Sequence, residues 1–134
     1  MNQTDMTGLK ILVVDDEPSV RQSLEMVLTH LGHVVQTIDT GAMALDLVVK
    51  NPFDLIIIDY FMPDMKGDEL ARLLKQSHPG LPILMITAYA DIFLADRRYA
   101  GLVDALLSKP FDIPRLVEAM NLAMAQRPPT IPAA

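Results

Sequence analysis

The sequence predicts an α/β domain in which a doubly wound, five-stranded parallel sheet carries helices on both faces. Five short apolar runs rich in β-branched residues alternate with stretches of helical periodicity, the order typical of repeated βα units. The run at residues 55–58 has no polar alternation, as expected for a strand that is covered on both sides. Successive parallel strands then require right-handed crossovers through the helices.

The predicted strands are short runs that end at turn residues or at polar side chains. They cover residues 9–14, 33–38, 54–58, 82–86 and 103–107. Pro82 can begin a strand, where its missing N–H group is tolerated. The central strand stops at a single carboxylate, Asp59, and the aromatic residues and proline that follow it predict a loop.

The predicted helices have recognisable starts and stops. Pro18 suits the first turn of the first helix, and Gly32 closes that helix. Thr40 is an N-cap candidate for the second helix. The five helices lie at residues 18–31, 41–50, 67–77, 91–100 and 113–124. Residues 8–126 therefore form one domain, which we expect to follow a disordered N-terminus (residues 1–7) and to precede a Pro-rich tail or linker stub (residues 127–134).

Composition narrows the function further. The chain has 134 residues, 51% of them apolar, which suits one domain with a real core. The net charge of −6 argues against broad electrostatic binding to nucleic acid or to anionic membranes. The absence of cysteine excludes disulfides and thiolate chemistry. With no signal peptide and no membrane-spanning run, we expect a cytoplasmic protein.

Polar side chains collect at the carboxyl ends of four predicted strands, which share one edge of a parallel sheet. They are Asp15, Asp16, Asp59, Thr87 and Lys109. Carboxylates crowded together favour a bound proton or a cation, and oxygen ligands open to water and phosphate suit Mg²⁺. A lysine supplies a compact positive charge for an anion, and a threonine hydroxyl can donate one hydrogen bond.

A carboxylate, Mg²⁺ and a lysine are the parts needed for phosphoryl transfer, and an aspartate such as Asp59 is a competent nucleophile that forms an acyl phosphate. Each residue also has a simpler interpretation. Asp15 and Asp16 suit a helix start, Thr87 suits a strand-end cap, and Lys109 suits a surface position before a turn. Their joint placement at strand ends favours the chemical interpretation.

These stretches, in this order, resemble the receiver domain of bacterial response regulators, the CheY-like phosphoacceptors of two-component systems. The resemblance covers residues 8–126. It rests on ILVVDDEP at residues 11–18, DLIIID at 54–59, MPDM with Gly67 at 62–67, PILMITA at 82–88 and KPF at 109–111.

The resemblance implies a flavodoxin-like sheet in the order 2-1-3-4-5. It implies that Asp59 accepts a phosphoryl group from a sensor histidine kinase, a phosphotransfer protein or a small phosphodonor. Asp15, Asp16, Asp59 and the backbone carbonyl of Phe61 would hold Mg²⁺, whereas Thr87 and Lys109 would contact the phosphoryl oxygens. A cis Lys109–Pro110 peptide is also implied. Such a domain is a signalling switch, not an enzyme acting on other substrates.

The output implied by the resemblance is a changed surface on the fourth helix, fifth strand and fifth helix, read by a downstream protein or an output domain. Leu106 stands where the family usually has a switch aromatic, which puts the usual coupling to Thr87 in doubt. Residues 104–106 also lack one subgroup's dimer motif, so homodimerisation on phosphorylation stays open. The bulky Phe61 predicts slow self-dephosphorylation.

Three other functions compete with this one. An aspartyl phosphatase of the haloacid-dehalogenase type wants a second Asp at position 61, where this chain has Phe61. A nucleotide-binding module would need a glycine-rich phosphate loop, which the sequence lacks. A degenerate receiver that only docks partners is disfavoured by the intact set of polar residues at the strand ends.

Overall fold

The computed structural model describes residues 7–95 and 101–125, and it confirms the predicted sheet. The strands are β1 (Lys10–Val14), β2 (Val34–Ile38), β3 (Leu55–Asp59), β4 (Ile83–Thr87) and β5 (Ala105–Ser108). They form one five-stranded sheet in the order β2-β1-β3-β4-β5, with every neighbouring pair parallel. The chain leaves β1 towards β2 and leaves β3 towards β4, so the sheet has a switch point between β1 and β3, where open α/β sheets bind ligands.

The helices follow the strands as predicted. They are α1 (Pro18–His30), α2 (Gly41–Lys50), α3 (Gly67–Ser77), α4 (Ala90–Ala95) and α5 (Ile113–Ala125). Pro18 begins α1, and Thr40 is the N-cap of α2, its hydroxyl accepting the Met43 N–H at 3.2 Å. The second half of the predicted fourth helix lies outside the described residues, as do most of the predicted N-terminus and the Pro-rich tail.

The core lies in two layers, one on each face of the sheet. Alternate residues of β3 point to opposite faces, so Ile56 and Ile58 pack with α2 and α3 whereas Leu55 and Ile57 pack with α1 and α5. All five residues of β3 are buried. Burial of each large aliphatic side chain contributes about 1.5–3 kcal/mol, so this strand anchors both layers.

The fifth strand begins later than the sequence suggests. The sequence predicts a start at residue 103, but the paired strand begins at Ala105. The Asp104 side chain accepts the Ile83 N–H, which a backbone carbonyl of a longer β5 would otherwise accept. One carboxylate oxygen of Asp104 accepts the Ile83 N–H at 2.7 Å and the Lys75 ammonium at 2.9 Å. Asp104 thus ties β4 to α3 beside the sheet.

Two further features complete the description of the fold. The Lys109–Pro110 peptide is cis, which confirms the expectation from the resemblance. Within the described ranges, no helix is both long and apolar enough to cross a membrane.

Candidate functional site

The ends of four strands bring the predicted polar residues to one edge of the sheet. Asp59 is the last residue of β3 and Thr87 the last of β4, and Asp59 lies beside Ile86 in the register of these strands. Thr87 in turn lies beside Ser108, so Lys109 follows directly at the same edge. Asp15 follows β1, whose last residue lies beside Ile38 and Ile58. Strand register therefore assembles the site.

Asp15, Asp16 and Asp59 form an acidic cluster in which one carboxylate oxygen of each residue lies within 4.8 Å of the others. Asp15 is 1% exposed and Asp59 4% exposed, whereas Asp16 is exposed. The cluster is therefore covered by protein on the side of the sheet and open to solvent on the side of Asp16. Three carboxylates this close repel one another unless a proton or a cation lies between them.

Asp15 carries the clearest sign of a missing partner. Its Oδ1 accepts the Glu17 N–H at 2.9 Å, which is the expected role of an acidic residue before a helix. Its Oδ2 is buried without a hydrogen-bond partner among the described residues. Burial is the main cause that raises the pKa of Asp15 to about 6. A cation would satisfy this oxygen, so the donor set fits a hard metal ion such as Mg²⁺.

Lys109 pairs with Asp59 across the cluster, its Nζ lying 3.0 Å from Asp59 Oδ1. Burial raises the pKa of Asp59 despite the opposing effect of this hydrogen bond. Burial on its own would lower the pKa of the Lys109 ammonium, but the hydrogen bond to Asp59 and the negative charges of Asp59, Asp15 and Glu17 together outweigh it and raise that pKa. Lys109 is therefore a partly buried, charged member of the site and not a surface lysine.

Thr87 forms the strand-end cap considered for it, and its hydroxyl proton is not used in that cap. Its Oγ1 accepts the Tyr89 N–H at 3.0 Å, which is the local turn expected of a strand-end cap. The side chain is 1% exposed, at the same edge as Asp59. A hydroxyl that accepts one hydrogen bond still has its own proton to donate. The turn therefore leaves Thr87 able to donate to an oxygen in the site.

Phe61 and Tyr89 form an aromatic pair in the loops that follow β3 and β4. Their ring centroids are 5.5 Å apart in an edge-to-face arrangement, and Phe61 also meets Tyr60 at 4.9 Å. Both members of the pair are about half exposed. Sequence reasoning missed Tyr89, although its place two residues after Thr87 matches that of Phe61 after Asp59, and β3 and β4 are neighbours.

Two other residues that support the site were missed. The Arg21 guanidinium donates to the backbone carbonyl of Asp15 at 2.7 Å, which orients the segment after β1. Asp64 accepts the N–H groups of Gly41 and Ala42, so the loop after β3 is joined to α2. Neither contact follows a local sequence pattern, since each depends on how distant elements meet.

Comparison with known proteins gives a consistent result. The family model for the response regulator receiver domain matches residues 11–121. The chain is 37% identical over 125 residues to the response regulator protein PilR of Pseudomonas aeruginosa, covering 92% of this chain and 28% of PilR. It is 36% identical over 124 residues to the response regulator MprA of a Mycobacterium species, covering 90% of this chain and 53% of MprA.

Solved structures agree in fold. The response regulator TrrA of Thermotoga maritima, determined in complex with Mg²⁺-BeF, superimposes with a TM-score of 0.76 at 30% identity, covering 86% of this chain and 96% of that one. The chemotaxis response regulator CheY4 of Vibrio cholerae superimposes with a TM-score of 0.77 at 33% identity, covering 85% and 97%. The chain spans between about a quarter and about half of the length of PilR and MprA. It belongs to the response regulator receiver domain family.

Proposed function

We propose that this domain is the phosphoacceptor of a two-component system and that Asp59 is the residue phosphorylated. The donor is a sensor histidine kinase, a phosphotransfer protein or a small acyl phosphate. The observation that carries the proposal is the acidic cluster itself, in which Asp59 Oδ1 lies 3.0 Å from the Lys109 ammonium. The neighbouring Asp15 has an oxygen that is buried without a hydrogen-bond partner in the described part of the chain. Holding three carboxylates close together opposes folding, because they repel one another. A site for a cation and a phosphoryl group explains why the protein nevertheless contains this cluster.

The reaction needs few parts. A carboxylate oxygen of Asp59 attacks phosphorus, the bond from phosphorus to the donor nitrogen or oxygen breaks, and the leaving group takes its electron pair. Lys109, now paired with Asp59, turns its charge to the incoming phosphoryl oxygens, and the Thr87 hydroxyl donates to one of them. Asp15, Asp16, Asp59 and the carbonyl of Phe61 would hold Mg²⁺, whose positive charge offsets that of the phosphoryl group.

The consequence of phosphorylation is a changed surface on α4, β5 and α5, which a downstream protein or an attached output domain reads. The chain matches only part of PilR and MprA, which favours an output domain outside this sequence. Homodimerisation is a second route for the output. An aspartyl phosphatase is disfavoured because position 61 carries a half-exposed phenylalanine where that chemistry needs a second carboxylate.

The direct test is phosphorylation by a small acyl phosphate in the presence of Mg²⁺. We expect the intact mass to rise by one phosphoryl group and peptide mapping to place that group on Asp59. A chelator should prevent the reaction, because the acidic cluster then has no cation to offset the charge of the incoming phosphate. A domain that takes up no phosphate from an acyl phosphate or a histidine kinase would instead be a docking module.

The aromatic pair predicts that the phosphorylated protein loses its phosphate slowly. The ring of Phe61 lies against that of Tyr89, two residues after Asp59 in the chain, and we expect it to obstruct the approach of water to the phosphoryl group. Phe61→Ala should therefore speed the loss of phosphate several-fold in a decay assay. Leu122→Ala, at a comparably exposed position on α5, is the control and should leave the rate unchanged. Equal rates in wild type and Phe61→Ala would refute the role of the ring.

A further inference from the structure

The loop between β3 and α3, residues 60–66, is attached to the start of α2 by one side chain. Asp64 Oδ1 accepts the Gly41 N–H and Asp64 Oδ2 accepts the Ala42 N–H, both at 3.1 Å. The two oxygens thus hold consecutive N–H groups of a helix that is 22 and 23 residues away in the chain. A two-point attachment of this kind restricts the rotation of the loop as well as its distance from the helix.

The Asp64 carboxylate supplies hydrogen-bond acceptors for N–H groups at the start of α2. The first N–H groups of an α-helix have no partner within the helix, and here Thr40 satisfies only that of Met43. A carboxylate at this end also interacts favourably with the helix dipole. Although partial burial opposes the charge, the N–H groups of Gly41, Ala42 and Met65 lower the pKa of Asp64, so it is ionised at neutral pH.

Close packing accompanies these hydrogen bonds. A Cβ atom added to Gly41 would lie 2.6 Å from Cγ and 2.8 Å from Sδ of Met65, the residue after Asp64. Met65 itself packs against the core layer formed with α2 and α3. The Met65 side chain therefore packs directly on the first residue of α2, and an alanine at position 41 would force that side chain to move.

The other end of the loop is fixed independently. The Gly67 N–H donates to the Tyr60 carbonyl at 2.7 Å, and the Tyr60 N–H donates to the Ile86 carbonyl at 3.0 Å. Phe61 lies between this anchor and Asp64. Met62, between Phe61 and Asp64, is itself buried in the core layer formed with α2 and α3. Of the contacts that fix the Phe61 backbone carbonyl, the Asp64 hydrogen bonds are therefore the ones that can be removed without altering the strands or the core.

We propose that Asp64 is a positioning residue that holds the loop on α2 so that the Phe61 carbonyl meets the divalent cation bound by the acidic cluster. The inference rests on the proposed function, since it assumes that the cluster binds Mg²⁺. Groups that orient metal ligands commonly change metal affinity 10–100-fold when they are removed, although they do not touch the metal. Asp64 thereby tunes the Mg²⁺ concentration at which the domain accepts phosphate.

The test compares Mg²⁺ affinity in three variants by isothermal titration calorimetry with Mg²⁺ alone. Asp64→Ala loses both hydrogen bonds and should bind Mg²⁺ about tenfold more weakly than the wild type. Asp64→Asn keeps one acceptor oxygen and should be intermediate. Thr40→Ala is the matched control. It removes the other cap of the same helix, with a loss of stability of about 1 kcal/mol, but leaves the loop attached and should bind Mg²⁺ as the wild type does.

A second measurement separates positioning from general destabilisation. With an acyl phosphate donor, Asp64→Ala should need about tenfold more Mg²⁺ for half-maximal phosphorylation but reach the wild-type rate at saturating Mg²⁺. Equal affinity in wild type and Asp64→Ala, or an equal loss in Thr40→Ala, would overturn the inference alone. A wild-type protein that binds no Mg²⁺ would overturn the metal site and this inference together.

Discussion

Asp59→Asn is expected to lose the whole increase in stability that Mg²⁺ and beryllofluoride, a mimic of the acyl phosphate, give to the wild-type protein. A ligand that binds only the folded state adds about 2.7 kcal/mol when its free concentration is a hundred times its Kd. The variant lacks the carboxylate oxygen to which the mimic attaches, and the cluster retains only Asp15 and Asp16. Thermal melting with and without the two ions measures the difference.

The same variant should be more stable than the wild type when metal is absent. The raised pKa of Asp59 means that its ionised form is disfavoured in the folded protein, chiefly because the carboxylate is buried. An uncharged amide of nearly the same shape avoids this cost at neutral pH, and its oxygen can still accept from Lys109. Denaturation in the presence of a chelator checks the direction of the change.

A surface carboxylate provides the control for both measurements. Asp46 pairs with Lys50 on α2 and its side chain is 61% exposed. Asp46→Asn should keep the full stabilisation by Mg²⁺ and beryllofluoride, and it should change the metal-free stability little, since exposed ion pairs contribute up to about 1 kcal/mol. If Asp59→Asn kept the stabilisation, the phosphoacceptor would have to be another residue.

Gly67→Ala should destabilise the domain and weaken its metal site at the same time. A Cβ at this position would lie 2.7 Å from the Asp59 carbonyl oxygen and 2.9 Å from the Tyr60 Cα. Both are backbone atoms, which cannot move aside as a flexible side chain can. We expect a loss of about 1–3 kcal/mol of stability, typical of overpacking, together with a displaced loop after β3.

Alanine substitutions at two other glycines show whether the loss of stability is specific to the backbone contacts of Gly67. Gly80→Ala should be neutral within about 0.5 kcal/mol, because no atom of the described residues lies within 4 Å of the added methyl group. Gly41→Ala meets only the side chain of Met65, so its effect should lie between the other two. Urea denaturation ranks the stability of the three variants. Mg²⁺ titration of each folded variant shows whether displacement of the loop after β3 has weakened metal binding. A stable Gly67→Ala with normal Mg²⁺ affinity would contradict the expected clash.

The sheet and its site could be predicted because their signals are local. The unbroken aliphatic run of β3 identifies a strand covered on both faces, and parallel topology then places Asp59, Thr87 and Lys109 at one edge without further information. The first residue of β5 could not be predicted in the same way. Val103 suits a strand, but the Asp104 side chain bonds to the Ile83 N–H and shortens the ladder.

Supporting contacts were beyond sequence reasoning for a different reason. Asp64 reads as part of a loop, and nothing near it in the chain shows that its carboxylate meets the start of α2. The Phe61–Tyr89 pair likewise depends on two loops that follow neighbouring strands. The residues at the strand ends predict which chemical groups form the site. The contacts that hold those groups in place depend on how the loops pack.

One oxygen of Asp15 has a practical consequence for handling the protein. Asp15 Oδ2 is buried without a hydrogen-bond partner among the described residues, which makes the folded domain less stable until a cation binds beside it. Buffers that contain chelators therefore keep the domain in its most fragile condition. Storage, crystallisation and partner screens should be carried out in millimolar magnesium, so that weak interactions are measured on an intact molecule.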